Sequence, residues 1–326
     1  MIKVNALSKK ENKMEVPMTS APPIISQEKI EELNRRVNIL KLRDEKNFSY
    51  YEYGDGRGKP ILFFHGTGSH IHAMLLHAAA LEMGYRIIVP DRPGVGLSDF
   101  QKGWTLLGSV GNYVELLDTL KVEKCIAMGI SGGGPSLMAC AYAIPERIEM
   151  VVDLACAMPL YRDRESLRSL GTMDRFYAKI GSKLPLALFK IPFSLLGLLQ
   201  TVMKSPKSFV KMMSSSMCAS DARLFANPNL QYLFMRDFQE LFRHGSKGPA
   251  YDAQLVYKDW GFDLADIKTR IEIFHGTEDK WVPIKFSEHL EKKAPLATLH
   301  PVQNQGHFYH LVYAHELLQK ISRLSA

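Results

Sequence analysis

Short apolar runs alternate with amphipathic stretches along most of this chain. The run from Pro60 to Phe64 is wholly apolar, which is typical of a strand buried on both faces of a sheet. The same reasoning predicts strands at 86–89, 124–128, 150–154, 271–274 and 297–301, and helices at 71–83, 110–120, 135–143, 284–293 and 314–324. Because strands that alternate with helices are joined by right-handed crossovers, the pattern predicts an α/β fold with a mostly parallel central sheet flanked by helices.

The N-terminal part of the chain follows a different pattern. Residues 1–25 mix charged and polar residues with two adjacent prolines, so we expect a mobile tail there. A helix is predicted over 27–36, with Ser26 as its N-terminal cap. Alternating or apolar runs at 37–42 and 48–53 predict two antiparallel strands that precede the parallel part of the sheet.

The alternation also stops between residues 157 and 250. Methionine, phenylalanine, leucine and basic residues recur there at helical spacing, with proline and serine interruptions and no clear strand. We interpret this segment as an inserted helical cap. The predicted organisation is a tail and short helix at 1–36, an α/β core formed by 37–156 and 251–326, and a cap at 157–250.

One part of the predicted cap, from Leu184 to Met203, is largely apolar. Lys190 and two prolines interrupt it, so it is a poor candidate for a membrane-spanning helix. We interpret it as a helix or loop that covers a pocket. Contact of the cap with a membrane surface is the alternative interpretation.

Composition and charge narrow the classes of function. The chain has 326 residues, of which 46% are hydrophobic, enough for a sizeable core. Its net charge of +7 comes from 41 basic and 34 acidic residues without a long run of like charges, so no nucleic-acid partner is expected. The four cysteines show no C-x-x-C spacing, and the first residues lack the apolar stretch of a signal peptide. We therefore expect a cytoplasmic protein.

The strongest candidate for chemistry lies where the strand predicted at 124–128 meets the next helix. Residues 129–133 read Gly-Ile-Ser-Gly-Gly, a G-x-S-x-G pattern. Small neighbours allow Ser131 to occupy a strained turn with its hydroxyl exposed above the sheet and the first N–H groups of the helix beside it. Those donors would stabilise negative charge on a carbonyl group that the serine attacks.

Two other interpretations of this turn stay open at this point. A dinucleotide-binding turn also joins a strand to a helix, and Asp153 follows about 20 residues later, as that fold requires. Ser131, however, stands where the fingerprint G-x-G-x-x-G has its middle glycine. The serine could also be an ordinary turn residue.

Candidate partners for the serine lie near the C-terminus. A serine hydroxyl needs a base to remove its proton, and the base works best when a carboxylate orients it. Asp279 follows one predicted strand, and His307 follows the last one after a glycine, so both are expected at the same sheet edge as Ser131. Glu278 and Asp153 are alternative acids, and an ordinary buried histidine is the alternative interpretation of residue 307.

These motifs, in the order Ser, Asp, His, resemble the α/β-hydrolase fold superfamily over residues 37–326. The motifs that carry the resemblance are H-G-T-G at 65–68, D-R-P-G-V-G-L-S at 91–98, G-I-S-G-G at 129–133, G-T-E-D at 276–279 and G-H at 306–307. The chain departs from the family at one position, since the histidine that often precedes the nucleophile is replaced by Ile130. That departure affects none of the expected catalytic roles.

The resemblance implies a role for each candidate residue. Ser131 would be the nucleophile, His307 the base and then the acid, and Asp279 the partner that orients the imidazole. The backbone N–H groups of Thr67 and Gly132 would form the oxyanion hole. The fold implied is an α/β-hydrolase fold with an inserted helical cap.

Three functional hypotheses follow. The first is a serine hydrolase that cleaves a carboxylic ester through an acyl-enzyme, with an amide or thioester as second choice. The apolar cap predicts a small, apolar ester as substrate, although the same side chains would also pack the core of the cap. The second is a lyase, carbon–carbon bond hydrolase or cofactor-free oxygenase on the same triad. The third is a non-catalytic ligand receptor or partner-binding protein.

No cofactor and no metal is expected. Four histidines, at positions 65, 70, 72 and 77, lie within thirteen residues. No aspartate, glutamate or cysteine joins them, and their spacing across a turn and a helix does not place them on one face. His65 is expected to hydrogen-bond within its own loop.

Overall fold

A single sheet of eight strands organises the fold. This computed structural model describes residues 25–159, 167–168, 172–203 and 205–325, so the tail expected at the N-terminus lies outside the described residues up to residue 24. The strands are β1 (Asn38–Lys41), β2 (Asn47–Gly54), β3 (Lys59–Phe64), β4 (Tyr85–Pro90), β5 (Cys125–Ile130), β6 (Ile148–Leu154), β7 (Ile271–Gly276) and β8 (Ala297–Val302). They lie in the order β1-β2-β4-β3-β5-β6-β7-β8.

Pairing in the sheet confirms the predicted α/β fold class. β1 pairs with β2, and β2 with β4, in antiparallel fashion, whereas every other pair of neighbours is parallel. The carboxyl ends of β3, β5, β7 and β8 therefore open on one edge of the sheet. The loops after these four strands carry the candidate site residues.

Burial on both faces explains the apolar run from Ile61 to Phe64 in β3. Ile61 and Phe63 belong to the core cluster on one face of the sheet, and Leu62 and Phe64 to the cluster on the other. Helices cover both faces: α1 (Gln27–Asn34), α2 (His77–Glu82), α3 (Leu106–Thr119), α4 (Gly134–Ala143), α12 (Lys285–Lys293) and α13 (Ala314–Leu324). The hydrophobic clusters on the two faces of the sheet hold the strands in place, and with them the strand ends that carry the candidate site residues.

The helix predicted at 71–83 is divided. Residues His70–Leu76 form a 3₁₀ helix, and only His77–Glu82 are α-helical. The backbone N–H of His70 and its ring Nδ1 both donate to the buried carboxylate of Asp91, which ties the first turn to the β4 side of the sheet. Most 3₁₀ helices have only three or four residues, so this run of seven residues is unusually long.

The segment between β6 and β7, which we call the insertion, is helical in the residues described. Its helices are α5 (Thr172–Lys179), α6 (Leu186–Phe189), α7 (Ile191–Val202), α8 (Pro206–Met213), α9 (Ala219–Leu224), α10 (Pro228–Leu241) and α11 (Lys247–Val256). A third core cluster, rich in phenylalanine, packs α7 to α10 together and against Val95, Phe308 and Leu311 outside the insertion. Helix α11 continues past residue 250, where the sequence pattern placed the end of the cap.

Candidate active site

Ser131 occupies a strained position directly after β5. Its φ angle of +51° lies in the left-handed region, which non-glycine residues rarely adopt. The chain then turns through Ser131–Gly133 in 3₁₀ geometry into helix α4. A Cβ atom on Gly133 would lie 2.3 Å from the Phe64 carbonyl oxygen, so only glycine allows this turn to pack against the end of β3.

The two predicted oxyanion donors lie beside each other. Thr67 follows β3 and Gly132 follows Ser131, and both line one cavity together with the serine. A Cβ atom built on Gly132 would lie 3.2 Å from the backbone N of Thr67. The structure therefore brings these two backbone segments into close contact at the mouth of the strained turn.

Arg92 binds the backbone directly before Thr67. The sequence did not predict this contact. Its guanidinium is buried and donates to the carbonyl oxygens of His65 and Gly66, the latter at 2.8 Å, while Asp252 binds it through both carboxylate oxygens at 2.8 Å. With two preceding carbonyl groups held, the N–H of Thr67 has a defined direction. Arg92 lies within the motif at 91–98 that carries part of the family resemblance, but no local pattern marks this contact.

Asp279 and His307 are hydrogen-bonded to each other. The imidazole Nδ1–H donates to Asp279 Oδ2 at 2.7 Å, and Oδ1 accepts the backbone N–H groups of Trp281 and Val282 at 2.8 and 2.9 Å. A neutral His307 then carries its free electron pair on Nε2. His307 and Ser131 line the same cavity.

The charges in this pair stabilise each other. Burial alone would raise the pKa of Asp279, but the positive charge of protonated His307 and hydrogen bonds from imidazole N–H groups outweigh it and hold the pKa well below its usual range. Burial alone would lower the pKa of His307, but Asp279 and, more weakly, Asp221 raise it above its usual value near 6.5. The ring of Trp281 also stacks on His307 with centroids 5.8 Å apart.

The alternative acids lie elsewhere. Glu278 is exposed, while Asp279 is buried. Asp153 is buried at the end of β6, where its Oδ1 accepts the backbone N–H of Cys156 at 3.0 Å and burial raises its pKa to about 6. Of the three carboxylates, only Asp279 shares a hydrogen bond with the ring of His307 in the described residues.

A second carboxylate reaches His307 from the insertion. Asp221 on α9 is buried, and its two oxygens accept the backbone N–H groups of His307 and Phe308 at 2.9 and 3.0 Å. Gly306 makes this approach possible, because a Cβ atom there would lie 2.2 Å from an Asp221 oxygen. No local sequence signal marks Asp221, since its partners are 86 and 87 residues away.

The four clustered histidines have different partners. His65 Nδ1 donates to the Gly66 carbonyl oxygen at 3.0 Å, as expected, and His70 binds Asp91. His77 Nδ1 accepts the Gly54 N–H at 2.9 Å, and His72 Nε2 lies 3.3 Å from a carboxylate oxygen of Asp237. Among the described residues, no three His, Cys, Asp or Glu side chains converge as they would around a metal ion.

The cavity has a volume of about 310 Å³, which suits a small organic molecule. Its walls are mainly apolar and aromatic, from Leu196, Met213, Phe234, Phe238, Val256, Trp281, Phe286 and Phe308. Its polar groups are Ser131, Thr67, Tyr257 and the imidazoles of His72 and His307. No arginine or lysine among the described residues lines it.

Comparison with known proteins gives consistent matches. The model of the alpha/beta hydrolase family matches residues 61–319. The uncharacterized hydrolase YcgS of Bacillus subtilis is 41% identical over 93 residues, which span 28% of this chain and 33% of that protein. A 2-hydroxy-6-oxononadienedioate/2-hydroxy-6-oxononatrienedioate hydrolase of Burkholderia vietnamiensis is 25% identical over 294 residues, covering 84% of this chain and 89% of that one.

Among solved structures, an esterase from Exiguobacterium antarcticum superposes with a TM-score of 0.67 at 18% identity, covering 88% of this chain and 98% of the esterase. At this identity the likeness shows the fold alone. No helix in the part of the chain that the structure describes is both long enough and apolar enough to cross a membrane.

Proposed function

Because this chain belongs to the alpha/beta hydrolase family, we propose that it is a serine hydrolase that cleaves a carboxylic ester through an acyl-enzyme. The observation that carries the proposal is the 2.7 Å hydrogen bond between Asp279 Oδ2 and Nδ1 of His307, whose side chain lines the same cavity as Ser131. This arrangement leaves Nε2 of His307 available as a base in the cavity that a serine in a strained turn also lines.

Each step of the proposed reaction uses one of the candidate site residues. His307 takes the proton of Ser131 as the hydroxyl attacks the ester carbonyl, and the N–H groups of Thr67 and Gly132 stabilise the oxyanion. Asp279 stabilises the imidazolium that forms. The imidazolium then protonates the leaving alcohol, and neutral His307 activates a water molecule that releases the acid and regenerates Ser131.

The cavity supports an apolar substrate, and the insertion supplies much of its wall. Leu196, Met213, Phe234 and Phe238 come from the insertion, which supports the proposal that residues 157–250 form a cap that sets acyl specificity over a core of 37–156 and 251–326. The four cysteines are free and buried, which supports a reducing compartment such as the cytoplasm.

A second candidate function uses the same three side chains on a different bond. The Burkholderia vietnamiensis relative is named a 2-hydroxy-6-oxononadienedioate/2-hydroxy-6-oxononatrienedioate hydrolase, and a dioate carries two carboxylate groups. The cavity favours the ester, since no cationic side chain among the described residues lines it to pair with a carboxylate. Turnover of a dienedioate in preference to neutral esters would reverse this order.

The test compares two serine variants on p-nitrophenyl esters of increasing acyl length. Ser131→Ala should lower kcat/KM by more than about a thousandfold, because the acyl-enzyme can no longer form. Ser136→Ala is the matched control, since Ser136 is also buried near the start of α4 but does not line the cavity. Equal activity in Ser131→Ala and wild type would refute the proposal, as would a fluorophosphonate that labels any residue other than Ser131.

A further inference from the structure

The insertion exposes an unusual concentration of apolar side chains. Of the twelve large hydrophobic residues that are exposed in the described part of the chain, eight lie between 176 and 212. Five of them form one row along α6 and α7, which we call the apolar stripe: Leu188, Ile191, Leu195, Leu198 and Val202. The four residues of α7 follow one another at spacings of four, three and four, which places them on one face of that helix, and Leu188 lies on the short helix before it.

The stripe faces outward because the opposite side of α7 packs against the rest of the chain. Leu196 lines the cavity, and a Cβ atom on Gly197 would lie 3.1 Å from the ring of Phe242. Gln200 on the same side is buried. Leu195 and Leu198, by contrast, are 58% and 60% exposed. A patch of this kind on a packed helix marks an interaction surface.

The charged residues of the segment that carries the stripe all have one sign. From residue 175 to residue 220 the sequence contains no aspartate or glutamate. The basic residues of this segment are Arg175, Lys179, Lys183, Lys190, Lys204, Lys207 and Lys211. Lys179 and Lys183 precede the stripe and are exposed, as are Lys207 and Lys211 after it. The segment that carries the stripe therefore attracts anions and repels cations.

An exposed apolar row flanked by lysines could contact either a second copy of this chain or a lipid bilayer, and the charge of the segment distinguishes between them. A second copy of the chain, related by a twofold axis, would bring the same lysines opposite one another without acidic partners from this segment. A bilayer that contains anionic lipids offers hydrocarbon to the leucines and negative headgroups to the lysines. The observations favour the bilayer.

We propose that the apolar stripe docks the insertion onto an anionic membrane surface, with its leucine, isoleucine and valine side chains in the headgroup and acyl boundary and the flanking lysines on the headgroups. Because Leu196 on the other side of α7 lines the cavity, docking places the cavity wall one helix away from the lipid. The proposal does not depend on the reaction catalysed in that cavity.

The experiment measures partition of the full chain onto vesicles by flotation. Vesicles of phosphatidylcholine with 30% phosphatidylglycerol are compared with pure phosphatidylcholine, each at low and high salt. Wild type should bind the anionic vesicles more than tenfold better, and high salt should weaken that binding. The double variant Leu195→Glu/Leu198→Glu should bind them at least tenfold less than wild type, because it puts two charges into the apolar row.

The matched control introduces the same charges elsewhere. Leu81 and Leu296 are 54% and 52% exposed and lie outside the insertion, so Leu81→Glu/Leu296→Glu should bind like wild type. Circular dichroism and thermal melting verify that both variants are folded. Lys207→Gln/Lys211→Gln should lose about fivefold per lysine on anionic vesicles.

Three results would overturn the proposal. One is a wild-type protein that does not float with anionic vesicles at low salt. Another is a folded Leu195→Glu/Leu198→Glu variant that binds as well as wild type. The third is a dimer in solution that this variant abolishes while wild type ignores vesicles, which would assign the stripe to a second copy. Loss of ester hydrolysis in Ser131→Ala leaves these outcomes unchanged, so failure of either proposal is recognised separately.

Discussion

His307 is held by two carboxylates from opposite parts of the molecule. Asp279 belongs to the sheet edge after β7 and accepts a hydrogen bond from the imidazole, whereas Asp221 belongs to the insertion and accepts the backbone N–H groups of His307 and Phe308. The first contact acts mainly on the protonation of the ring, and the second fixes the backbone that carries the ring and raises the pKa of His307 more weakly. Two residues of one type in one site therefore serve different purposes.

The two carboxylates also differ in their own electrostatics. Burial raises the pKa of Asp221 above its usual value, and its backbone hydrogen bonds offset this only in part. At Asp279 the charge of His307 and the imidazole hydrogen bonds outweigh burial and lower the pKa. A full opposite charge in direct contact compensates for lost water better than peptide N–H dipoles do.

The largest expected effect separates Asp279 from its neighbour. Asp279→Asn should lower kcat/KM for an ester by about a thousandfold or more, because the amide can hold the wrong tautomer of His307 and no longer stabilises the imidazolium. The matched control is Glu278→Gln, which removes an exposed carboxylate one residue away and should leave kcat/KM within about twofold. Comparable losses in both variants would contradict the assignment.

A smaller effect is expected at Asp221. Asp221→Ala leaves two buried N–H groups without acceptors, so it should destabilise the fold by about 1–3 kcal/mol and lower kcat about tenfold with little change in KM. Asp221→Asn retains one acceptor oxygen and should recover part of both losses. Steady-state kinetics and thermal melting of the two variants test this. A stability loss in Asp221→Ala without any change in kcat would show that Asp221 has no positioning role.

The smallest effect is a shift in pH dependence. Protonated His307 cannot act as a base, so kcat/KM of wild type should fall as the pH drops through a pKa that lies above the usual 6.5. Because the negative charge of Asp221 raises that pKa, Asp221→Asn should move the acid limb of the profile to lower pH. An acid limb that moves to higher pH, or does not move, would contradict this electrostatic role.

Much of the fold could be predicted from local patterns. Apolar runs such as Pro60 to Phe64 indicated strands buried on both faces, and the glycines around Ser131 indicated a turn that admits no Cβ atom at residue 133. The hydrogen bonds from His70 to Asp91 at the first turn of residues 70–76 could not be predicted, because Asp91 lies 21 residues further along the chain.

The part of the candidate site that could not be predicted from the sequence consists of polar contacts between residues far apart in the chain. Arg92 binds Asp252 at a separation of 160 residues, and Asp221 reaches the loop of His307 at a separation of 86. Neither contact leaves a periodic signal, since hydrogen-bond partners have no preferred spacing along the chain. From the sequence alone, Asp221 cannot be distinguished from an aspartate that is exposed to solvent on a helix.

By itself the sequence determined the alternation of strands and helices, the strained serine turn and the order Ser, Asp, His, because these depend on the size and polarity of neighbouring residues. Only the tertiary structure decided which carboxylate meets the ring of His307, how the insertion holds its backbone, and which face of α7 remains exposed. Those features depend on packing between segments distant in sequence. If a helix packed with its sequence shifted by one residue, a side chain that is now buried would become exposed.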